Sequence, residues 1–234
     1  MKIIKIGIQQ KELKNPQRAF DKFSSMVLNA AKREQEIDAD SYFGTAKALS
    51  DEFINQNKSD ILVNNIKKLA EKLTSMNSQD YASILYGVIL KVLRDTNPKL
   101  VEPMARNALA IAERRHDPVH IMARGNDLAI IYKRTENGSE NHLKALYTTK
   151  RALKDICTNY EGAQKRYKSG KREMKPLDNY KFMLAEKKYE IAKILINSNP
   201  NQAKIELEEA NAILSEIGKT DFQNKVQKLL SKIN

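Results

Sequence analysis

The stretch from Gly125 to Leu153 constrains this chain more than any other. It reads Gly125-Asn-Asp-Leu128-Ala129-Ile-Ile-Tyr132, then a polar break from Thr135 through Gly138 and Ser139, then Ala145, Ala152 and Leu153. Each half sets small residues beside larger apolar ones at helical spacing. Small residues let two helix backbones approach closely, and the break is short enough to fold one helix back on the other. The stretch therefore predicts a helical hairpin, the building unit of α-solenoids.

The remainder agrees with that unit. Only 8 glycines and 6 prolines occur in 234 residues, and several prolines stand where a helix would begin. Alternation of β-branched residues ends after Ile8. The expectation is an all-α fold of about ten antiparallel helices, paired as hairpins and stacked in an α-solenoid. An irregular helical bundle is the alternative. Residues 1–14 carry Ile3, Ile4, Ile6 and Ile8 and then turn polar. A short strand and an arm docked on the body are both open to them; with no sheet to join, they are read as an amino-terminal tail. Residues 15–234 then form one helical repeat domain.

Punctuation sets the helix boundaries. Asn15-Pro16, Asn97-Pro98, Asp117-Pro118 and Asn199-Pro200 combine a capping side chain with a proline suited to the first turn. Ser59, Ser78 and Ser139 are further start signals, Pro103 is an alternative start for the fifth helix, and Thr220-x-x-Gln223 has the form of a capping box. Gly218 stops the ninth helix. Residues 161–175 are poor in apolar side chains and rich in cations, and are read as a basic loop or a frayed helix extension.

The hairpin residues resemble the tetratricopeptide repeat. That family places a large aromatic, then Leu-Gly, then Tyr on its first helix, and Ala, an aromatic and Ala on its second. Leu128, Ala129 and Tyr132 match the first helix, and Ala145 and Ala152 the second. Gly125 and Thr149 stand where the two large aromatics should be. Partial copies occur at Ile191-Ala192 with Ala203, Leu207 and Ala210, and at Tyr86-Gly87 with Ala108-Leu109. The small-residue slots Gly87, Ala129 and Ala192 lie 42 and 63 residues apart, against about 34 in a regular array. The resemblance covers residues 80–215. It implies a concave groove, lined by the first helices, that binds partner peptides. The groove slots fall at Asn126, Ile130 and Lys133, and at Tyr189 and Lys193.

Chemistry is sparse. His116 and His120 are four apart, a spacing that holds metal on one helix face, but Pro118 separates them at a helix start. They and His142 are read as surface histidines. Cys157 lacks a neighbouring histidine and is read as a packed thiol. One cysteine cannot form an internal disulfide, which suits a reducing compartment. Glu206, Glu208 and Glu209 are read as a solvated face. No phosphate loop, zinc spacing or nucleophile elbow is present, so no catalytic residue, metal or cofactor is assigned and the chain is read as no enzyme. The opening Met1–Ile8 is too short for a signal peptide, no apolar run reaches membrane-span length, and a cytoplasmic protein is expected.

Charge supplies a second surface. Forty-one basic against 29 acidic residues give a net charge of +12, and residues 144–175 hold ten of the former and three of the latter. Lys165, Arg166, Tyr167, Lys168, Lys171, Arg172 and Lys175 form a candidate patch for an anion or nucleic acid, since tyrosine rings stack on unpaired bases. Solubility alone, or an anionic membrane surface, are competing uses of the same charge. The sequence thus predicts a non-enzymatic interaction scaffold with a protein or peptide partner, acidic in character. RNA or DNA binding by residues 144–175 is the alternative.

Overall fold

A computed structural model describes residues 3–166 and 174–233. Among them the elements run β1 (Ile3–Ile4), α1 (Gln10–Leu13), α2 (Pro16–Lys32), β2 (Glu36–Ile37), α3 (Ala39–Asn55), α4 (Ser59–Ser75), α5 (Gln79–Leu93), α6 (Pro98–Arg114), α7 (Pro118–Thr135), α8 (Glu140–Thr158), α9 (Tyr160–Arg166), α10 (Leu177–Leu195), α11 (Pro200–Glu216) and α12 (Thr220–Leu230). The fold is all-α, and within two compact units, divided between Ile111 and Ala112 inside α6, neighbouring helices pack as in a helical-repeat protein.

The Pro and Asn signals mark real helix starts. Asn15, Asp117 and Asn199 each accept a backbone N–H of the first turn through the side chain. Ser59 and Thr220 instead lie one residue inside their helices, and α6 begins at Pro98 and passes through Pro103.

The helix ends repeat one geometry. Five times an amide donates to the carbonyl five residues before it, as in Lys58 to Phe53 (2.8 Å), Ser78 to Leu73 (2.8 Å), Asp117 to Ala112 (3.3 Å) and Lys219 to Leu214 (2.9 Å), with Gln35 to Ala30 the fifth. The residue before each donor has positive φ: Asn57, Asn77, His116, Gly218 and Glu34. This is the Schellman closure, which satisfies carbonyls left open at a helix end. A second corner occurs twice, at Asn97-Pro98 and Asn199-Pro200, where each Asn amide donates to a leucine carbonyl at 2.7 Å. Helices α3, α5 and α7 begin at residues 39, 79 and 118. These 40- and 39-residue intervals exceed the tetratricopeptide period of about 34, because 17-residue helices such as α3 and α4 are joined by three-residue corners.

In the first unit an aromatic chain ties α2, α3 and α5. Phe20 meets Phe23 and Phe53, Phe23 stacks on Tyr42, and Tyr42 meets the edge of Tyr81. The segment read as a tail docks here. Ile3–Ile4 pairs in parallel with Glu36–Ile37, Ile6 is buried, and the Ile6 carbonyl accepts from Thr45 Oγ1 at 3.1 Å. Its alternating isoleucines thus find β2, a short strand that only the α2–α3 corner creates.

In the second unit α7 pairs with α8, α8 packs on α10, α10 pairs with α11, and α12 covers α11. Leu128, Ala129 and Tyr132 of α7, and Ala145 and Ala152 of α8, are all buried. The two departures from the repeat pattern face each other. A Cβ on Gly125 would lie 2.7 Å from Thr149 Oγ1 and 3.2 Å from its backbone nitrogen. Thr149 Oγ1 donates to the Ala145 carbonyl at 2.9 Å, so the buried hydroxyl is satisfied. A close backbone approach replaces the pair of large aromatics.

Substituting Gly125→Ala gains about 1 kcal/mol of helix propensity but forces a clash with the hydrogen-bonded Thr149 hydroxyl and crowds the Thr149 backbone nitrogen. Urea unfolding should show a net loss of about 1–2 kcal/mol. Thr149→Ala should return part of that loss in the double variant.

Candidate functional site

Positions 126, 130 and 133 follow one stripe of α7. Asn126 and Ile130 are half-buried and Lys133 is exposed. The two positions predicted on α10 are differently placed. The Tyr189 ring packs edge-on against Phe222 of α12, with centroids 5.3 Å apart, and Phe182 meets the same phenylalanine. Lys193 is exposed and lies over the Tyr189 ring at 5.7 Å. Tyr189 therefore helps hold α12 in place.

Of the basic patch, Lys165 and Lys175 are exposed and Arg166 ends α9. Tyr167, Lys168, Lys171 and Arg172 lie outside the described residues. The flanks of that stretch are anchored together. Tyr160 Oη donates to the Lys175 carbonyl at 2.6 Å, and Ala163 and Met174 enter one apolar cluster with Leu153, Ile156 and Tyr180. Residues 160–166 are helical because Asn159 Oδ1 accepts the Gly162 amide at 2.9 Å, and a Cβ on Gly162 would collide with that asparagine.

Two histidines differ from the surface reading. Asp117, itself buried, accepts from the Val119 and His120 amides and meets His120 Nδ1 at 2.7 Å. Burial opposes ionisation of Asp117, but the His120 hydrogen bonds and charge outweigh it and hold the carboxyl below its usual range. His142 is 4% exposed at the start of α8. Its burial follows from α10 packing over the first turn of α8, which no local pattern signals. Cys157 packs at the edge of the apolar cluster, and burial pushes its thiol up to about 11, away from nucleophilic character.

The sequence also concealed a buried charge network. Glu206, read as solvated, is 1% exposed; Glu208 and Glu209 are exposed as expected. Glu206 Oε1 accepts from Lys150 Nζ at 2.5 Å and from Gln202 Nε2 at 3.3 Å, and its Oε2 accepts from Lys188 Nζ at 3.1 Å. Lys188, also buried, bonds Glu209 as well. Lys150 lies over the Tyr147 ring at 4.6 Å, and burial together with Glu206 raises the Tyr147 phenol. Two lysines and two glutamates from α8, α10 and α11 thus balance. The signal was present in the lone lysine at position 188, on the apolar face of α10 between Leu184, Ala185, Ile191 and Ala192.

Among the described residues, no three His, Cys, Asp or Glu side chains converge to hold a metal, and no helix is long and apolar enough to cross a membrane. No protein-family model and no curated protein matches the chain.

Removing Lys188 alone leaves Glu206 buried and short of a partner. Lys188→Met should lower stability by about 3 kcal/mol in denaturant unfolding. Lys188→Met with Glu206→Met should cost clearly less than the sum of the single changes, because no buried charge is then orphaned.

Proposed function

We propose that this chain is a non-enzymatic scaffold, a tetratricopeptide-like solenoid that holds a partner protein or peptide against the first helices of its hairpins. The observation that carries this reading is the α7–α8 hairpin. Leu128, Ala129, Tyr132, Ala145 and Ala152 fill its interior, which leaves the stripe of Asn126, Ile130 and Lys133 beside the packed face. An amide and an ammonium flanking an aliphatic side chain suit an acidic peptide with one apolar anchor, since hydrogen bonds to a carboxylate from an ammonium are the strong ones. Lys193 on α10 adds a second cation. Tyr189, whose ring packs on Phe222 and lies under Lys193, flanks that cation.

The second reading, binding of RNA or DNA, draws on the anchored flanks of the basic stretch. Lys165 and Lys175 stand exposed where Tyr160 ties the two flanks together, and in sequence residues 144–175 hold ten basic residues against three acidic ones.

One experiment separates the readings. The purified full chain is used as bait in native extract, and retained protein and nucleic acid are both scored. The scaffold reading expects a specific protein whose retention falls about tenfold or more in Asn126→Ala/Lys133→Ala, a loss of about 1.4 kcal/mol, with the melting curve unchanged. Retention indifferent to those changes would remove α7 as the binding face. The nucleic-acid reading expects retention that collapses as salt rises from 50 to 200 mM, and it fails if nothing binds at low salt.

A further inference from the structure

His142 occupies the third position of α8, three residues after the cap Ser139. Ser139 Oγ accepts the His142 amide at 3.1 Å. In return, His142 Nδ1 accepts the Gly138 amide at 3.1 Å. In a capping box a carboxylate or amide at the third helical position returns such a bond to the cap residue itself; here an imidazole does so one residue earlier. Because Nδ1 accepts, the ring must be neutral with its proton on Nε2.

We propose that this His142 capping box is a proton-operated latch on the turn that joins α7 to α8. A protonated imidazole carries hydrogens on both nitrogens and cannot accept the Gly138 N–H. Protonation therefore removes one bond and sets two donors against each other, in a turn where Gly138 already requires a positive φ of 79°. It also places a positive charge at the amino end of a helix, where the backbone dipole opposes it.

The charged groups around the ring come from three elements. Lys133 of α7 and Lys187 of α10 oppose protonation, while Glu190 of α10 and Glu136 of the turn favour it. Lys187 and Glu190 are paired with each other at 2.5 Å, which weakens both influences. Glu136 is engaged by Asn141 Nδ2 at 3.2 Å. Burial remains the dominant influence, and it keeps the histidine below its ordinary value of 6.5. The unfolded chain takes up this proton near 6.5 and the folded chain only at lower pH. Between the two values the unfolded state holds more protons, so stability falls as pH drops through that window. The latch is closed at neutral pH and released by acid. It is independent of the scaffold reading.

The test uses the full chain. Titration followed by NMR should show the His142 ring changing state below pH 6.5, with the Gly138 amide shifting at the same midpoint. The protection of that amide from exchange should fall tenfold for each pH unit separating the folded midpoint from 6.5. In His142→Gln, whose side-chain oxygen still accepts from Gly138 but does not titrate, melting temperature should lose less than wild type between pH 7 and pH 5. Ser139→Ala, which removes the other arm, should lower stability by the same amount at both pH values. A His142 midpoint at or above 6.5, a Gly138 amide that does not follow it, or wild-type and His142→Gln curves that run parallel would overturn the proposal.

Discussion

A helix that stops leaves carbonyls without donors, and in this chain the way those carbonyls are satisfied sets the spacing of most elements. In the Schellman closure, the amide that completes one helix end belongs to the residue at, or next to, the start of the following element. Lys58, Ser78, Asp117 and Lys219 each donate backwards and stand at the start of the next helix. The connection cannot lengthen without breaking that bond, so within each unit α3 and α4, α4 and α5, and α11 and α12 are held as neighbours. Positive φ at Glu34 and His116 costs more than at Gly218. Retaining it there shows how strongly the corner is held by what surrounds it.

Tight corners leave the side chains to decide how closely each pair packs. Gly125 against Thr149 brings α7 and α8 together by removing volume, whereas the apolar face of α10 admits Lys188. That lysine would be costly without Glu206 and Glu209. The pair of glutamates and the pair of lysines compensate one another, but apolar residues of similar size would hold the helices as firmly or more so. What the charges add is position. Lys150, Lys188 and Glu206 reach one another only when α8, α10 and α11 keep their present registers, and any slip strands a buried charge. This pinning lies between the very helices where the internal period is broken by the residues between α8 and α10.

The parts of the fold that were legible in the sequence are those decided within a few residues. Proline with a preceding Asn or Asp fixes a helix start by local geometry alone, so Asn15-Pro16, Asp117-Pro118 and Asn199-Pro200 could be read directly. Small residues at 129, 145 and 152 likewise announced buried contacts. The illegible parts depend on a partner distant in sequence. His142 is buried because α10 covers the first turn of α8, Glu206 because two lysines come from other helices, and Ile3–Ile4 because Glu36–Ile37 offers an edge. Tyr189 was placed by its slot in a repeat pattern, and the slot holds no information about Phe222. Ser59 and Thr220 misled by one residue, since a side chain able to cap does so only where the preceding corner ends.

The chain contains the same helix-start device in two chemistries, and the comparison explains why one of them is a histidine. At α1, exposed to water, Glu12 Oε2 accepts the Gln9 amide at 2.9 Å. Its hydrogen bond with Lys22, followed by the one with Gln9, lowers its carboxyl, so the contribution of that box is present above the ordinary value of 4.5 and is lost in acid. At α8 the corresponding side chain is buried. A carboxylate there would have to be desolvated with no dedicated cation, because Lys187 is already paired with Glu190. A neutral imidazole supplies one acceptor and fills apolar space without carrying charge into the interior. Burial thus favours the neutral ring, and the same burial opposes the ring's uptake of a proton.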